Sequence, residues 1–319
     1  MRVVVAEGEL LDRILDATFP QWHEGLSRHA YAQWNAVQTR TPWARSHLRR
    51  FASLDEAGTL LASLKCYRYD VRLDDRDGWM CGIGAVFTAP DRRGHGHATR
   101  LVTHVIEQEQ ADGALLAALF SEIGGAFYER LGFAAVPLDE RTVRVRCKNG
   151  APAMLVRAGD ERDLPSIAQM HQTRSTHARF ALRRDVASLR FALARKRAFA
   201  GLSATGTRQV EFFVAEEGSS AVAYVVLSMN QHGWTLEEAG DRDPAGARLG
   251  AMLQVLVARE PAADPPLIRT WWPRSFPVPP QLELTDRTDP KDRFMVRSLA
   301  DVAPPQSAAD VFYWHGDAF

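Results

Sequence analysis

Apolar and polar residues along the chain alternate between a two-residue beat in short runs and a three-to-four-residue beat in longer ones. Residues 2–6 read as a strand, and residues 10–50, with Trp22, Trp34 and Trp43, as a helical region. Residues 58–71 predict a long strand, Asp74-Asp75-Arg76-Asp77-Gly78 a turn, and residues 80–88 a second strand ending at Ala89-Pro90. Ala98, Leu101, Val102, Val105 and Ile106 then recur at i, i+3, i+4, i+7 and i+8, the apolar stripe of a helix. Asp112-Gly113 closes that helix, and residues 114–120 form an unbroken apolar run of buried-strand length. A short helix at 125–130 and strands at 133–136 and 142–147 follow.

Lys148-Asn149-Gly150-Ala151-Pro152 has the chemistry of a boundary, and the order restarts beyond it. Residues 153–157 predict a strand, 160–171 a capped helix, 211–215 and 221–229 a hairpin, 234–238 a strand, and 245–259 a helix. The apolar stripe of this last helix, Leu249, Met252, Leu253, Leu256 and Val257, repeats the spacing of the first half. Two units, 1–148 and 153–319, are expected to be copies of one fold. With the stripes overlaid, Arg93, Gly94 and Gly96 fall on Pro244, Ala245 and Ala247, behind Asp241 and Asp243. Proline offers no N–H and the acids repel phosphate, so the second copy is expected to be degenerate as an anion site. Residues 261–280, rich in proline, read as a structured connection.

Composition narrows the classes. The 319 residues carry 39 Lys and Arg against 39 Asp and Glu, which argues against nucleic acid as the main partner. Three cysteines, Cys66, Cys81 and Cys147, make neither a disulfide framework nor a zinc site, and no histidine has metal-ligand spacing. They suggest a reducing compartment. No apolar run approaches the ~18 residues of a membrane helix, and the N-terminal apolar stretch is cut off by Glu7, so a cytoplasmic protein without a membrane partner is expected. Arg183-Arg184 and Arg195-Lys196-Arg197 read as solvated helix faces.

The chemistry concentrates where a strand, a proline break and a glycine turn open into a helix: Val86-Phe87-Thr88-Ala89-Pro90-Asp91-Arg92-Arg93-Gly94-His95-Gly96-His97-Ala98. The first turn of a helix has unpaired N–H groups and the positive end of its dipole. Glycine at 94 and 96 lets an anion approach the backbone, and Arg92, Arg93 and Arg100 add charge. Thr99 breaks the dinucleotide fingerprint, and no G-K-[ST] is present for a P-loop.

Arg93-Gly94-His95-Gly96-His97-Ala98 resembles the [Q/R]-x-x-G-x-[G/A] coenzyme A loop of the GNAT N-acetyltransferases, and Phe127-Tyr128-Glu129-Arg130-Leu131-Gly132-Phe133 resembles their F-Y-x-x-L-G-F segment. The resemblance covers residues 1–147 well and the rest by pattern. It implies an α/β (α+β) tandem GNAT fold, a mixed, mostly antiparallel sheet flanked by helices. It also implies acetyl-CoA as cofactor and a small-molecule amine as the partner acetylated by direct attack on the thioester. Backbone of Val86, Phe87 and Thr88 would hold the pantetheine arm, with Ser121 close by. The amides of Arg93, Gly94, His95, Gly96, His97, Ala98 and Thr99 would take the diphosphate. Tyr128 matches the family's general acid. Many relatives carry a base Glu on the strand before the loop; here that strand, Cys81-Gly82-Ile83-Gly84-Ala85-Val86, has no carboxylate. Water, Glu122 and a group donated by the second half, such as the chain's end, remain as candidates. The chain resembles the enhanced intracellular survival acetyltransferases, whose terminal carboxylate is the base, which would make Phe319 catalytic. It also resembles the fungal lysine N6-acetyltransferases, which points to free lysine or a related amine. Acidic Glu237-Glu238, Asp241 and Asp243, with Trp271-Trp272, Phe276 and Phe312-Tyr313-Trp314, are candidates to hold a cationic amine. A protein lysine or N-terminal acetyltransferase and a non-catalytic acyl-CoA sensor are the alternatives; oligomeric state is left open.

Overall fold

The computed structural model describes residues 1–260, 266–288 and 291–319. The chain begins β1 (Arg2–Val5), α1 (Gly8–Trp22), α2 (Arg28–Arg40), α3 (Pro42–His47), β2 (Leu48–Leu54), β3 (Leu60–Leu73) and β4 (Arg76–Thr88). Next come α4 (His97–Ala111), β5 (Leu116–Ser121), α5 (Ala126–Glu129), β6 (Ala134–Ala135) and β7 (Glu140–Val145). It continues through β8 (Leu155–Ala158), α6 (Leu164–Ser175), β9 (Phe180–Leu182), α7 (Val186–Leu202), β10 (Arg208–Glu217), β11 (Ser220–Asn230) and β12 (Gly233–Asp241). The last elements are α8 (Ala247–Ala258), β13 (Ile268–Trp271), β14 (Leu282–Thr288), β15 (Arg293–Ser298) and β16 (Val311–Phe312). Part of the proline-rich connection expected at 261–280 lies outside the described residues.

Among the described residues the strands form two mixed, mostly antiparallel sheets flanked by helices. One has the order β1-β2-β3-β4-β5-β15-β6, with β9 and β16 joining beside β3; the other runs β14-β7-β13-β12-β11-β10-β8. The two halves of the sequence thus share the sheets: β9, β15 and β16 of the second half lie in the first sheet, and β7 of the first half lies in the second. β15 inserts between β5 and β6, and β7 inserts between β14 and β13. The strand expected at 142–147 therefore forms, but pairs with β13 and β14 rather than with the first sheet.

Helix starts follow local chemistry. Ser27 accepts from the Ala30 amide at 3.1 Å to open α2, and Asp185 and Ser188 cap each other's amides to open α7. The helical region expected at 10–50 ends sooner, because residues 48–54 form β2, buried from Arg50 to Leu54. Burial on both faces erases the alternation that would have shown it as a strand. No helix among the described residues is long and apolar enough to cross a membrane.

Arg184 and Lys196 are not solvated as expected. Arg184 pairs with Glu238 and Asp317, and Lys196 pairs with Glu237 at 2.7 Å, so these charges join α7 to the second sheet and the C-terminal tail.

Candidate functional site

The site begins with a defect in a strand. β3 and β4 pair regularly until Lys65 faces Gly84 and Ser63 faces Phe87, which leaves one extra residue on β4. Ala85 sits in this bulge at φ 49, a left-handed conformation that costs a non-glycine residue about 1 kcal/mol or more. On its other side β4 pairs with parallel β5 from Met80↔Leu116 to Ile83↔Leu119, and there the pairing ends. β4 runs on to Thr88 and β5 to Ser121, so the strands part. Main-chain groups beyond Ile83 on the β5 side of β4 are left without a ladder partner, which suits an extended amide-bearing chain. Val86 lines the gap, whereas the Phe87 side chain turns the other way into a cluster with Ile14 and Leu54, leaving only its backbone for a ligand. Ser121 lines the gap too, its hydroxyl donating to the Gly124 carbonyl at 2.6 Å.

At the outer end of β4 lies the glycine loop. Gly94 (φ 80) and Gly96 (φ 73) are left-handed, and Gly96 directly precedes α4. A Cβ at Gly94 would project into open space, and one at Gly96 would meet only the Arg100 guanidinium at 3.5 Å. The amides of Gly94, His95, Gly96, His97, Ala98 and Thr99 find no acceptor among the described residues. Arg100 folds back to donate to the His95 carbonyl at 2.9 Å, and Arg93 reaches the Thr88 carbonyl at 3.4 Å. Open amides, absent Cβ atoms and nearby guanidiniums fit a diphosphate. This loop does not line the inner cavity; the gap between β4 and β5 connects them in sequence.

The inner cavity, about 320 Å³, is lined by Gly84, Val86, Tyr128 and Phe319 together with Trp34, Lys65 and Tyr67. Tyr128, on α5, is 7% exposed and packs edge-on against Phe127 and Phe133, with centroids 4.9 and 6.0 Å away. Burial pushes its phenol up to about 12. Phe319 reaches the cavity because the tail is clamped. β16 pairs with β9, Arg184 binds Asp317, and Arg195 donates to the Ala318 carbonyl at 2.7 Å. The Phe319 ring packs against Tyr67, Tyr69 and Phe120, with centroids 5.2 to 5.6 Å away. Its main-chain oxygen would stand 3.4 Å from a Cβ at Gly84. Glu122 lines the same cavity and is exposed.

The acidic residues expected to greet a cationic amine are elsewhere and already engaged. Glu237 pairs with Lys196 and His315, Glu238 with Arg184 and Tyr224, and none of Glu237, Glu238, Asp241 and Asp243 lines the inner cavity. Asp241 accepts from the Asp243 and Leu249 amides, each at 2.8 Å, and Asp243 from the Ala245 amide at 2.9 Å. The second-half loop thus satisfies its donors with its own carboxylates. The overlay of stripes misplaced this loop by one residue: left-handed Gly246, not Ala247, immediately precedes α8. Pro279 and Phe276 cover that glycine, with Pro279 3.3 Å from a Cβ placed there.

A roomier cleft of about 560 Å³ lies near Asp77, His171 and Arg183. Most of its charges are committed, Arg183 to Asp77 and Arg72 to the carbonyls of Ser175 and Ala178.

Sequence reasoning missed Gly82 and Gly84, whose bare backbones make room for Phe319, and the cavity cations Arg50, Lys65 and Arg195. The alternation of glycine in Cys81-Gly82-Ile83-Gly84 was the available signal: two glycines on one face of a strand mark a close approach.

Comparison with known proteins agrees with this geometry. Residues 13–136 match the family model described as Acetyltransferase (GNAT) domain. No curated protein matches the chain in sequence. A solved structure from Enterococcus faecalis V583, described as a conserved protein of unknown function and probable N-acyltransferase, is 13% identical with a TM-score of 0.67; the match covers 93% of this chain and 72% of that one. A GCN5-related N-acetyltransferase from Kribbella flavida is 20% identical with a TM-score of 0.67, over 93% of this chain and 70% of that one. Eis1 from Mycobacterium abscessus is 12% identical with a TM-score of 0.55, over 94% and 74%. At these identities the likeness is one of fold. The chain has the GNAT fold.

Proposed function

We propose that the chain transfers an acetyl group from acetyl-CoA to a primary amine of a small molecule, free lysine or a related amine. In this reading residues 1–148 carry the chemistry, and residues 153–319, a degenerate copy of the same fold, wall the cleft. The observation that carries the reading is that Tyr128 and Phe319 line one cavity at the inner end of a strand gap whose outer end is the open Gly94–Gly96 loop.

Acetyl-CoA, when bound, supplies a thioester whose carbonyl carbon accepts the amine. The open loop amides from Gly94 to Thr99 hold its diphosphate, the expected Arg93 amide being given to the Pro90 carbonyl at 3.4 Å, and the β5-side backbone of Val86 to Thr88, with Ser121 opposite, aligns its pantetheine arm. Tyr128 keeps its proton at neutral pH, since burial raises its phenol. It therefore donates a hydrogen bond to the departing sulfur. An acceptor ammonium with an ordinary pKa near 10.4 costs roughly 4 to 5 kcal/mol to deprotonate at pH 7. The Phe319 carboxylate, steadied through Arg195 and the Ala318 carbonyl, takes that proton as the amine attacks. The α2 helix, Arg195 and the tail narrow the cavity to about 320 Å³, which favours a small acceptor over a protein segment.

The test is thiol release from acetyl-CoA with a panel of amines spanning lysine, polyamines and aminoglycosides. Release above hydrolysis with at least one is expected. An enzyme that binds acetyl-CoA yet accelerates with no amine would behave as a sensor and overturn the reading.

A further inference from the structure

Two buried cations beside the acetyl site make no ion pair among the described residues. Arg50 on β2 pairs in register with Lys65 on β3, and Lys65 in turn faces Gly84 on β4. The two basic residues are 9% and 8% exposed. Like charges directly opposite on neighbouring strands repel, and burying an unpaired ion costs several kcal/mol. Elsewhere the chain pairs its inward-facing cations: Arg184 with Glu238 and Asp317, Lys196 with Glu237, Arg68 with Glu109, Arg157 with Asp163. Arg50 and Lys65 instead meet neutral oxygens, Asn35 Oδ1 at 3.3 Å and Gln38 Oε1 at 3.0 Å. The Lys65 ammonium lies 5.5 Å from the centre of the Trp34 ring. No ion pair within 4.0 Å joins either to a carboxylate among the described residues. Burial, then Arg50 and Arg195, hold Lys65 well below the ordinary lysine range. The arrangement is costly by itself and becomes favourable when an anion enters.

Both residues line the cavity that holds Gly84, Tyr128 and Phe319. We infer that the acceptor is an amino acid whose carboxylate docks between Arg50 and Lys65, directing its amine toward Gly84. This rests on the acetyltransferase reading of the same cavity. It favours amino acids over polyamines and aminoglycosides, which would bring more positive charge to two unpaired cations.

Lysine and 1,5-diaminopentane, which differ only by the carboxylate, separate the possibilities. The wild-type protein should prefer lysine at least about 100-fold in kcat/KM, the loss expected when a buried charge is left unpaired. Lys65→Met should shrink that ratio at least about tenfold, mainly through KM. Calorimetry on protein saturated with CoA gives an answer that needs no turnover. Lysine should bind to the wild-type protein and more weakly to Lys65→Met. Removing an unpaired buried cation should leave the melting temperature unchanged or higher; Lys65→Gln serves if Lys65→Met does not fold. Equal binding of lysine and 1,5-diaminopentane, or a ratio unchanged in both variants, would overturn the inference even with acetyltransferase activity intact. Preference for an amino-sugar phosphate over every amino acid would overturn the carboxylate assignment. No turnover with any amine, with selective lysine binding retained, would instead count against the acetyltransferase reading and support the carboxylate site.

Discussion

The ring of Phe319 lies on the bare backbone of Gly82: a Cβ at that glycine would stand 2.8 Å from the ring, closer than packed carbon atoms approach. A strand glycine and the last residue of the chain therefore share one space. Gly82→Val should displace the ring and carry the terminal carboxylate away from Gly84. Overpacking of this kind costs about 1–3 kcal/mol, so the protein should remain folded. Turnover should fall at least about tenfold while acetyl-CoA binding, read by calorimetry, is retained.

The same relationship makes the chain end sensitive to extension. A short tag after Phe319 should lower kcat about 100-fold or more, the scale of a lost general base, whereas a tag before Met1 should not. An unchanged rate in the extended protein would return the base to Glu122 or water.

Tyr128 gives a pH signature as well as a mutational one. Its phenol is raised to about 12 by burial, so it stays protonated at pH 10, where an ordinary tyrosine is half ionised. As pH rises the acceptor ammonium loses its proton before Tyr128 does, so kcat should climb between pH 7 and 10 with no alkaline fall in that window. Tyr128→Phe should lower kcat about 100-fold and leave the acetyl-CoA dissociation constant nearly unchanged. Equal loss of both would assign the residue to packing against Phe127 and Phe133.

At the outer end of the gap, Gly96→Glu places a carboxylate and a Cβ at a left-handed position (φ 73) beside the open amides. Titration calorimetry should show loss of acetyl-CoA binding. The reason is repulsion of the diphosphate joined to backbone strain of about 1 kcal/mol. Unaltered binding would remove the loop from the site.

What could be read in advance follows from what each feature depends on. The amphipathic helix α4 and the loop before it show in local spacing, because Leu101, Val102, Val105 and Ile106 share a face and Gly94 and Gly96 punctuate the turn. Two motifs thirty residues apart then located Tyr128. The cation pair Arg50 and Lys65 did not show, because cross-strand register joins residues fifteen apart in a segment whose β2 strand resembled a helix. The acids at 237–241 looked available for the same reason: their partners Lys196, Arg184 and His315 arrive from distant elements. Turn chemistry at 148–152 shows in the sequence, but the crossing of β7 and β15 between sheets does not, since nothing local distinguishes a strand that pairs nearby from one that pairs far away.

That crossing carries the last prediction. β15 completes the first sheet between β5 and β6, and its Phe294, Met295 and Val296 are 1%, 0% and 1% exposed. A polypeptide ending at residue 148 loses these three side chains and exposes the edge of β5. Each fully buried side chain of this kind contributes about 1.5–3 kcal/mol, so the loss approaches the whole stability of an ordinary domain, about 5–15 kcal/mol. The excised first half also keeps β7 without its partners β13 and β14. Produced alone, residues 1–148 should aggregate or lack a cooperative melt, whereas co-production with residues 149–319 should yield a soluble complex with acetyl-CoA affinity. Cooperative thermal unfolding of residues 1–148 alone, followed by circular dichroism, would show instead that the strand exchange is dispensable for the first half.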